Sequence, residues 1–132
     1  MRLESTKKKK DTPGNKIIFV SSPYAPRGLW TREDNLELAR KLCRVVVQQG
    51  NIPIAPHLLF PQFLDDEDSV ERDMGMMASL ALIMLCDELW YYPERGISAG
   101  MQEEMDRADE ELIPCITWEK SLYPSAVKKF PV

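Results

Sequence analysis

A short polar stretch, Ser21-Ser22-Pro23-Tyr24, follows the β-branched run Lys16–Val20 near the start of the chain. Hydroxyl groups and unpaired backbone amides at the end of a strand are well placed to hold a phosphate group or a sugar hydroxyl. A plain turn that ends the strand would use the same residue types. The residues alone leave both interpretations open.

A second stretch, Gly96–Glu104, combines a loop of small residues with the start of a helix. Gly100 would let a ligand or a strand approach that helix closely. Glu104 and Ala108 are four residues apart and therefore share one helical stripe. A carboxylate on an otherwise apolar stripe is costly unless it has a partner or a chemical task. The alternative is a solvated helix face within an acidic run, which the neighbouring Glu103 also fits.

Two further sites depend on single charged or titratable side chains. Arg72-Asp73 lies in the first turn of an expected helix, where an interaction with the helix dipole is the alternative to a chemical role. His57 is the only histidine, and a lone histidine in an apolar loop is more often structural than catalytic. The sequence has no zinc-site spacing, no calcium loop and no glycine-rich nucleotide motif. We therefore expect neither a metal nor a cofactor.

Short apolar runs alternate with helical patterns and predict the elements that position these side chains. The expected strands cover residues 16–20, 51–56, 88–92 and 113–118, and the expected helices residues 31–49, 69–85 and 98–111. This alternation predicts an α/β fold with a mainly parallel sheet and helices on both faces. Ligands of such sheets bind beyond the carboxyl ends of the strands. The loops 21–31, 56–69 and 93–98 are therefore expected to converge on one site.

Composition and charge predict a folded body behind a basic tail. Residues 1–15 hold five basic and two acidic side chains and are expected to be disordered, whereas residues 16–132 are expected to form a single domain with a net charge of −7. Because an acidic body is a poor nucleic-acid surface, a nucleic-acid partner is not expected. No apolar run approaches the roughly 20 residues of a membrane helix. Three scattered cysteines in apolar segments predict buried thiols and a cytoplasmic location.

Five short motifs occur in a fixed order along the chain. They are Phe19–Tyr24, Pro56-His57, Arg72-Asp73, Cys86–Trp90, and Ser98–Glu104 with Ala108. Together they resemble the nucleoside 2-deoxyribosyltransferase-like superfamily, and within it the small bacterial and phage members. The resemblance covers residues 16–118 and depends on the order and spacing of all five motifs. It implies a flavodoxin-like or Rossmann-like three-layer sandwich.

The resemblance also implies a role for each matching residue. Glu104 matches the glutamate that attacks the anomeric carbon of the sugar, and Asp73 matches an aspartate that assists departure of the base. Ser98 and Gly100 match residues that face the 5′ end of the nucleotide. The substrate-binding residues are expected to be Ser21, Ser22, Pro23, Tyr24, His57, Arg72, Ser98, Gly100 and Met101.

Two positions depart from the pattern of the deoxyribosyltransferases. Gln102 stands where a second glycine is usual, two residues before the catalytic glutamate. Ser98 stands where an acidic residue is usual, and a serine there is closer to the nucleotide-hydrolysing branch, which binds a 5′-phosphate.

Two functions follow as expectations. The first is an N-glycosidase or deoxyribosyltransferase that acts on a nucleoside or nucleoside 5′-monophosphate through a covalent glycosyl-enzyme. The second is a sensor or sequestering protein that binds a nucleotide without turnover. A homo-oligomer, a dimer or larger, is also expected, because the family commonly forms one and because one loop is rich in apolar side chains. These are Leu58, Leu59, Phe60 and Phe63.

Overall fold

A computed structural model describes residues 15–118 of the chain. The predicted basic tail, apart from Asn15, and the segment 119–132 lie outside the described residues. Within residues 15–118 the strands are β1 (Ile17–Ser21), β2 (Ile52–Ile54), β3 (Glu88–Tyr91) and β4 (Cys115–Thr117). The α-helices of the same part are α1 (Arg32–Gln48), α2 (Ser69–Ile83) and α3 (Ala99–Glu110). Two 3₁₀ turns, Pro56–Leu58 and Phe60–Gln62, follow β2.

These strands form one sheet in the order β2-β1-β3-β4, and each neighbouring pair is parallel. Phe19 at the centre of β1 pairs with Ile54 on one side and with Leu89 on the other. The chain winds outward from β1 to β2 and then crosses back to β3, so the direction of winding reverses between β1 and β3. Open α/β sheets bind ligands in the crevice at such a point. The α/β, flavodoxin-like fold predicted from the sequence is confirmed.

Alternate residues of the central strands enter the hydrophobic cores on opposite faces of the sheet. Ile18, Val20 and Trp90 pack with α1, whereas Phe19 and Leu89 pack with α2 and α3. Successive side chains of a strand point to opposite faces, so a strand that is covered on both sides is apolar throughout. The described residues therefore form three layers, with the sheet between α1 and the pair α2 and α3.

The helix starts follow local signals in the sequence. The Thr31 hydroxyl accepts a hydrogen bond from the Asp34 amide at 3.0 Å, and the Thr31 amide donates to the Asp34 carboxylate at 2.9 Å. This reciprocal capping box fixes the start of α1. Ser98 caps α3 as predicted. For α2 the capping residue is Asp68, which accepts a hydrogen bond from the Val70 amide at 3.0 Å.

The cysteines of the described part are free thiols. Burial raises the pKa of Cys43 to about 11 and the pKa of Cys86 to about 12, which keeps both thiols protonated and unreactive near neutral pH. No helix within residues 15–118 has the length and apolar character needed to cross a membrane. The cytoplasmic location stays a prediction.

Candidate active site

A cavity of about 330 Å³ opens beyond the carboxyl end of β1, between α2 and the first turns of α3. The loop after β1 and the 3₁₀ turns after β2 complete its wall. Apolar atoms make up most of the lining, and a few polar groups interrupt it. This size and composition are typical of sites for small organic ligands.

The Glu104 carboxylate lies at the end of β1 and is only 4% exposed. The Ser21 hydroxyl donates a 2.6 Å hydrogen bond to Glu104 Oε1, which is the only hydrogen bond to this carboxylate among residues 15–118. Burial disfavours the charged form and raises the pKa of Glu104 to about 8; the Ser21 bond opposes this shift and the charge of Glu103 adds to it. The site therefore holds a carboxyl group that titrates near neutral pH.

Replacing Ser21 by alanine should raise the pKa of Glu104 further, because the lost hydrogen bond stabilises the charged form. The ionised fraction of Glu104 at pH 7 should fall several-fold. Carboxyl ¹³C NMR of glutamate-labelled protein would measure the titration directly. Ser22→Ala is the matched control, since the Ser22 hydroxyl has no partner among the described residues. Equal titration curves for Ser21→Ala and the wild type would contradict this prediction.

Two aromatic side chains in contact, Tyr24 and His57, line the cavity, and their ring planes are tilted by 34° to one another. Their ring centroids are 4.9 Å apart, and the Arg32 guanidinium lies 4.8 Å from the centroid of the Tyr24 ring. Burial lowers the pKa of His57 to about 4, although the Asp66 carboxylate opposes this shift. The imidazole is therefore neutral at pH 7 and offers a flat surface and hydrogen bonds rather than a proton.

Of the loop after β3, residues 93–98, only Ser98 lies on the cavity wall. The Arg95 side chain of this loop contacts the loop after β1 and the start of α1. The Arg95 guanidinium lies 3.9 Å from the ring centroid of Trp30 and donates a 3.1 Å hydrogen bond to Asn35 Oδ1. The buried Asn35 amide in turn donates to the Tyr24 carbonyl at 3.3 Å. This series of contacts fixes the position of Tyr24 in the cavity.

The first turn of α3 forms one end of the cavity through Ser98, Gly100 and Met101. The Ser98 hydroxyl accepts a 3.2 Å hydrogen bond from the Met101 amide. A Cβ atom on Gly100 would lie 4.0 Å from the nearest side-chain atoms, those of Met76 and Ser98. Alanine would therefore fit the free protein but would occupy space next to the helix end. The positive end of a helix favours a negatively charged ligand group at such a place.

The structure separates the neighbours Arg72 and Asp73. Arg72 lies on the cavity wall, whereas Asp73 is exposed and does not line the cavity. One helical residue turns the side chain by about 100°, and this turn carries Asp73 away from the cavity wall on which Arg72 lies. The structure does not bring Asp73 to Glu104. Asp66 and Glu71 are carboxylates that do lie on the wall.

Of the predicted binding residues, the structure brings six to the cavity wall: Tyr24, His57, Arg72, Ser98, Gly100 and Met101. Ser21, Ser22 and Pro23 are buried beside the cavity without lining it. Ser21 does not line the cavity because its hydroxyl points toward the Glu104 carboxylate, to which it donates a hydrogen bond.

Several lining residues were not predicted, among them Phe60, Leu64, Met76 and Ser79. The α2 residues were detectable, because Arg72, Met76 and Ser79 have the spacing of one helical face. Phe60 was assigned to a surface that contacts another copy, but it faces the cavity.

Residues 16–118 match the model of a family described as a domain of unknown function, DUF7768. The chain belongs to this family. The DUF7768 domain is also similar to the solved structure of a 2-deoxyribosyltransferase from the psychrotolerant bacterium Bacillus psychrosaccharolyticus, with a TM-score of 0.63 and 14% sequence identity. The match covers 79% of this chain and 72% of that chain. At this identity the likeness shows the fold alone, and this fold agrees with the one that the superfamily resemblance implies. No curated protein matches the chain.

Proposed function

We propose that this DUF7768 domain binds a nucleoside or nucleoside 5′-monophosphate and cleaves its N-glycosidic bond, as a hydrolase or a deoxyribosyltransferase. One observation carries the proposal: a buried carboxyl group, Glu104, with a raised pKa and a hydrogen bond from Ser21. It lies in a ligand-sized cavity at the point of the fold where α/β sheets bind ligands. A titratable group with a strongly shifted pKa in a cleft is typical of a catalytic site.

In this proposal the Glu104 carboxylate attacks the anomeric carbon of the sugar. The bond between that carbon and the base breaks, and the base leaves with the electron pair and takes up a proton. Water or a second base then attacks the glycosyl-enzyme ester and releases the carboxylate. Two such steps replace one more difficult displacement.

The lining of the cavity supports an orientation of the nucleotide in which the base and the 5′ end contact opposite ends of the cavity. The aromatic rings of Tyr24 and His57 offer a surface against which a base can pack. The first turn of α3, with Ser98 and Gly100, suits the negatively charged 5′-phosphate. Glu104 lies one and a half turns further along the same helix, which leaves the sugar between the two ends.

Two carboxylates, Asp73 and Asp66, are candidates for the group that assists departure of the base. Asp73 remains the residue that the family resemblance suggests, but its side chain is exposed and outside the cavity wall. Asp66 lies on that wall, and its charge acts on both His57 and Tyr24, so it is close to the proposed base-stacking surface. We therefore place Asp66 next to the base as a hydrogen-bonding group.

The direct test is to incubate the purified full chain with purine and pyrimidine nucleosides, 2′-deoxynucleosides and their 5′-monophosphates. Chromatography would measure the free base, and a second base added to half of the samples would reveal transfer. We expect base release from at least one compound, and the rate should rise with pH toward about 8 as Glu104 ionises. A rate that falls over the same range would show that Glu104 acts as an acid and not as the nucleophile.

A second candidate function is nucleotide binding without turnover. The raised pKa favours it, because most of the Glu104 population is uncharged at pH 7 and uncharged carboxyl groups are poor nucleophiles. Calorimetry with the same compounds separates the two candidates. Saturable binding with no base release over pH 6–9 would support the second candidate, and neither binding nor release would exclude both.

A further inference from the structure

One side of the cavity is built from apolar groups of two elements, the segment after β2 and helix α2. Phe60 and Leu64 of that segment lie against Gly75 of α2: a Cβ atom on Gly75 would be 3.4 Å from Leu64 Cδ1 and 4.0 Å from Phe60 Cβ. Two prolines of the same segment also line the cavity. We call this surface the apolar wall, and its members are Pro56, Phe60, Pro61, Leu64 and Gly75.

The backbone of the apolar wall has few polar groups to offer a ligand. Pro56 and Pro61 have no amide N–H. The Pro56 carbonyl accepts a hydrogen bond from the Leu59 amide at 3.0 Å, and the Phe60 carbonyl accepts one from the Leu64 amide at 2.8 Å. A polar ligand group placed against this surface would give up hydrogen bonds to water and find few replacements, which is costly. The apolar wall therefore favours an apolar ligand group.

Two polar side chains of α2 that line the cavity near the apolar wall already have partners within the protein. The Ser79 hydroxyl donates a 2.8 Å hydrogen bond to the Gly75 carbonyl. The Glu71 carboxylate accepts a 2.6 Å hydrogen bond from the Asp65 amide. These bonds reduce what the two side chains can offer to a ligand, so they leave the preference for an apolar group in place.

The apolar wall adjoins the end of the cavity at which the base is proposed to bind. Pro56 directly precedes His57 in the first 3₁₀ turn, and the His57 ring contacts the Tyr24 ring at a centroid distance of 4.9 Å. The end proposed for the 5′-phosphate is formed by a different element, the first turn of α3. A ligand group on the apolar wall is therefore attached to the base and not to the sugar or the phosphate.

We propose that the substrate is a nucleotide whose base carries a short alkyl substituent, and that the apolar wall binds this substituent. The inference rests on the proposed function and specifies the base on which that function acts. Each CH₂ group that leaves water on binding should strengthen binding by about fourfold until the space beside the apolar wall is filled. Affinity should therefore depend on the length of the substituent.

The first test is calorimetry of the full chain with two series of nucleotides. One series is 2′-deoxyuridine 5′-monophosphate with hydrogen, methyl, ethyl, propyl or butyl at C5, and the other is 2′-deoxyadenosine 5′-monophosphate with the same groups on N6. We expect the Kd of one series to fall by about fourfold per added carbon and then to level off or rise.

The outcomes separate this proposal from the proposed function. Equal or weaker binding along both series would overturn the alkyl proposal, even where the unsubstituted nucleotide binds or loses its base. Tighter binding of the alkyl compounds without release of any base would support the alkyl proposal and count against catalysis. Binding by no member of either series would overturn both.

The second test changes the size of the space beside the apolar wall. Leu64→Ala enlarges it and should move the preferred substituent to a longer chain. Gly75→Ala narrows it and should move the preference to a shorter chain, since the added Cβ fits in ordinary contact with Leu64. Leu59→Ala is the matched control: Leu59 belongs to the same segment but is 48% exposed and does not line the cavity, so the wild-type preference should remain.

Circular dichroism would confirm that the three variants fold. A purely structural role for Leu64 and Gly75 would change the stability of the protein but would not shift the preferred chain length in opposite directions. The same preferred length in both folded variants as in the wild type would overturn the proposal.

Discussion

Base release should fall by several orders of magnitude when Glu104 is replaced by glutamine, while nucleotide binding survives. Glutamine keeps the size of the side chain and an oxygen that accepts the hydrogen bond from Ser21. It has no negative charge and cannot form the glycosyl ester, so the covalent step is lost. The measurement is the initial rate of base release with the best compound of the panel, alongside calorimetric binding of the same compound.

Glu103→Gln is the matched control for this experiment. Glu103 precedes Glu104 by one residue, but it is exposed and does not line the cavity. Its replacement removes the same charge from the same helix and should change the rate little. Equal losses in the two variants would mean that the charge of the helix matters and not the buried carboxylate. An unchanged rate in Glu104→Gln would end the covalent mechanism.

The same substitution should stabilise the protein at alkaline pH. The pKa of Glu104 rises from 4.5 to about 8 on folding, so the folded state binds the proton more tightly than the unfolded state. This contribution to stability is complete below pH 4.5 and is lost as the pH rises toward 8. Glutamine does not titrate. The stability of Glu104→Gln relative to the wild type should therefore increase between pH 4.5 and 8, by on the order of 4 kcal/mol.

Urea unfolding of both proteins at about pH 5 and pH 8.5 measures this difference. Comparing the two proteins at each pH cancels the other titrating groups, which both share. Glu103→Gln again controls for the loss of a negative charge at an exposed position. A difference that does not change with pH would show that the Glu104 carboxylate is charged in the folded protein throughout this range.

Much of the fold can be predicted from local signals in the sequence. Thr31 with Asp34 predicts the start of α1, and the apolar run before Ser21 predicts a strand that is covered on both faces. Such features depend on residues close together in the chain, where spacing and residue type are decisive. The 3₁₀ turns after β2 were not predicted, because their conformation depends on packing around two prolines in an irregular loop.

The candidate site was predictable where one side chain broke a local pattern. Glu104 stood out because it shares a stripe with Ala108, and both are buried. The Arg72-Asp73 motif alone does not show which of its two residues faces the cavity, and in the structure Arg72 lies on the wall. The Ser21 hydrogen bond spans 83 residues of sequence, and no local pattern encodes a contact of that length.

Successive side chains of β1 point to opposite faces of the sheet, so the candidate site depends on the register of this strand. Phe19 packs on the face of α2 and α3, and two residues later Ser21 meets Glu104 of α3, while Ile18 and Val20 pack on the α1 side. A shift of β1 by one position would exchange the two sets. The apolar residues would still find a core on either face, but Ser21 would point toward α1 and the Glu104 carboxylate would lose its hydrogen bond. An insertion or deletion within β1 would therefore separate Ser21 from Glu104 even where the sheet still forms.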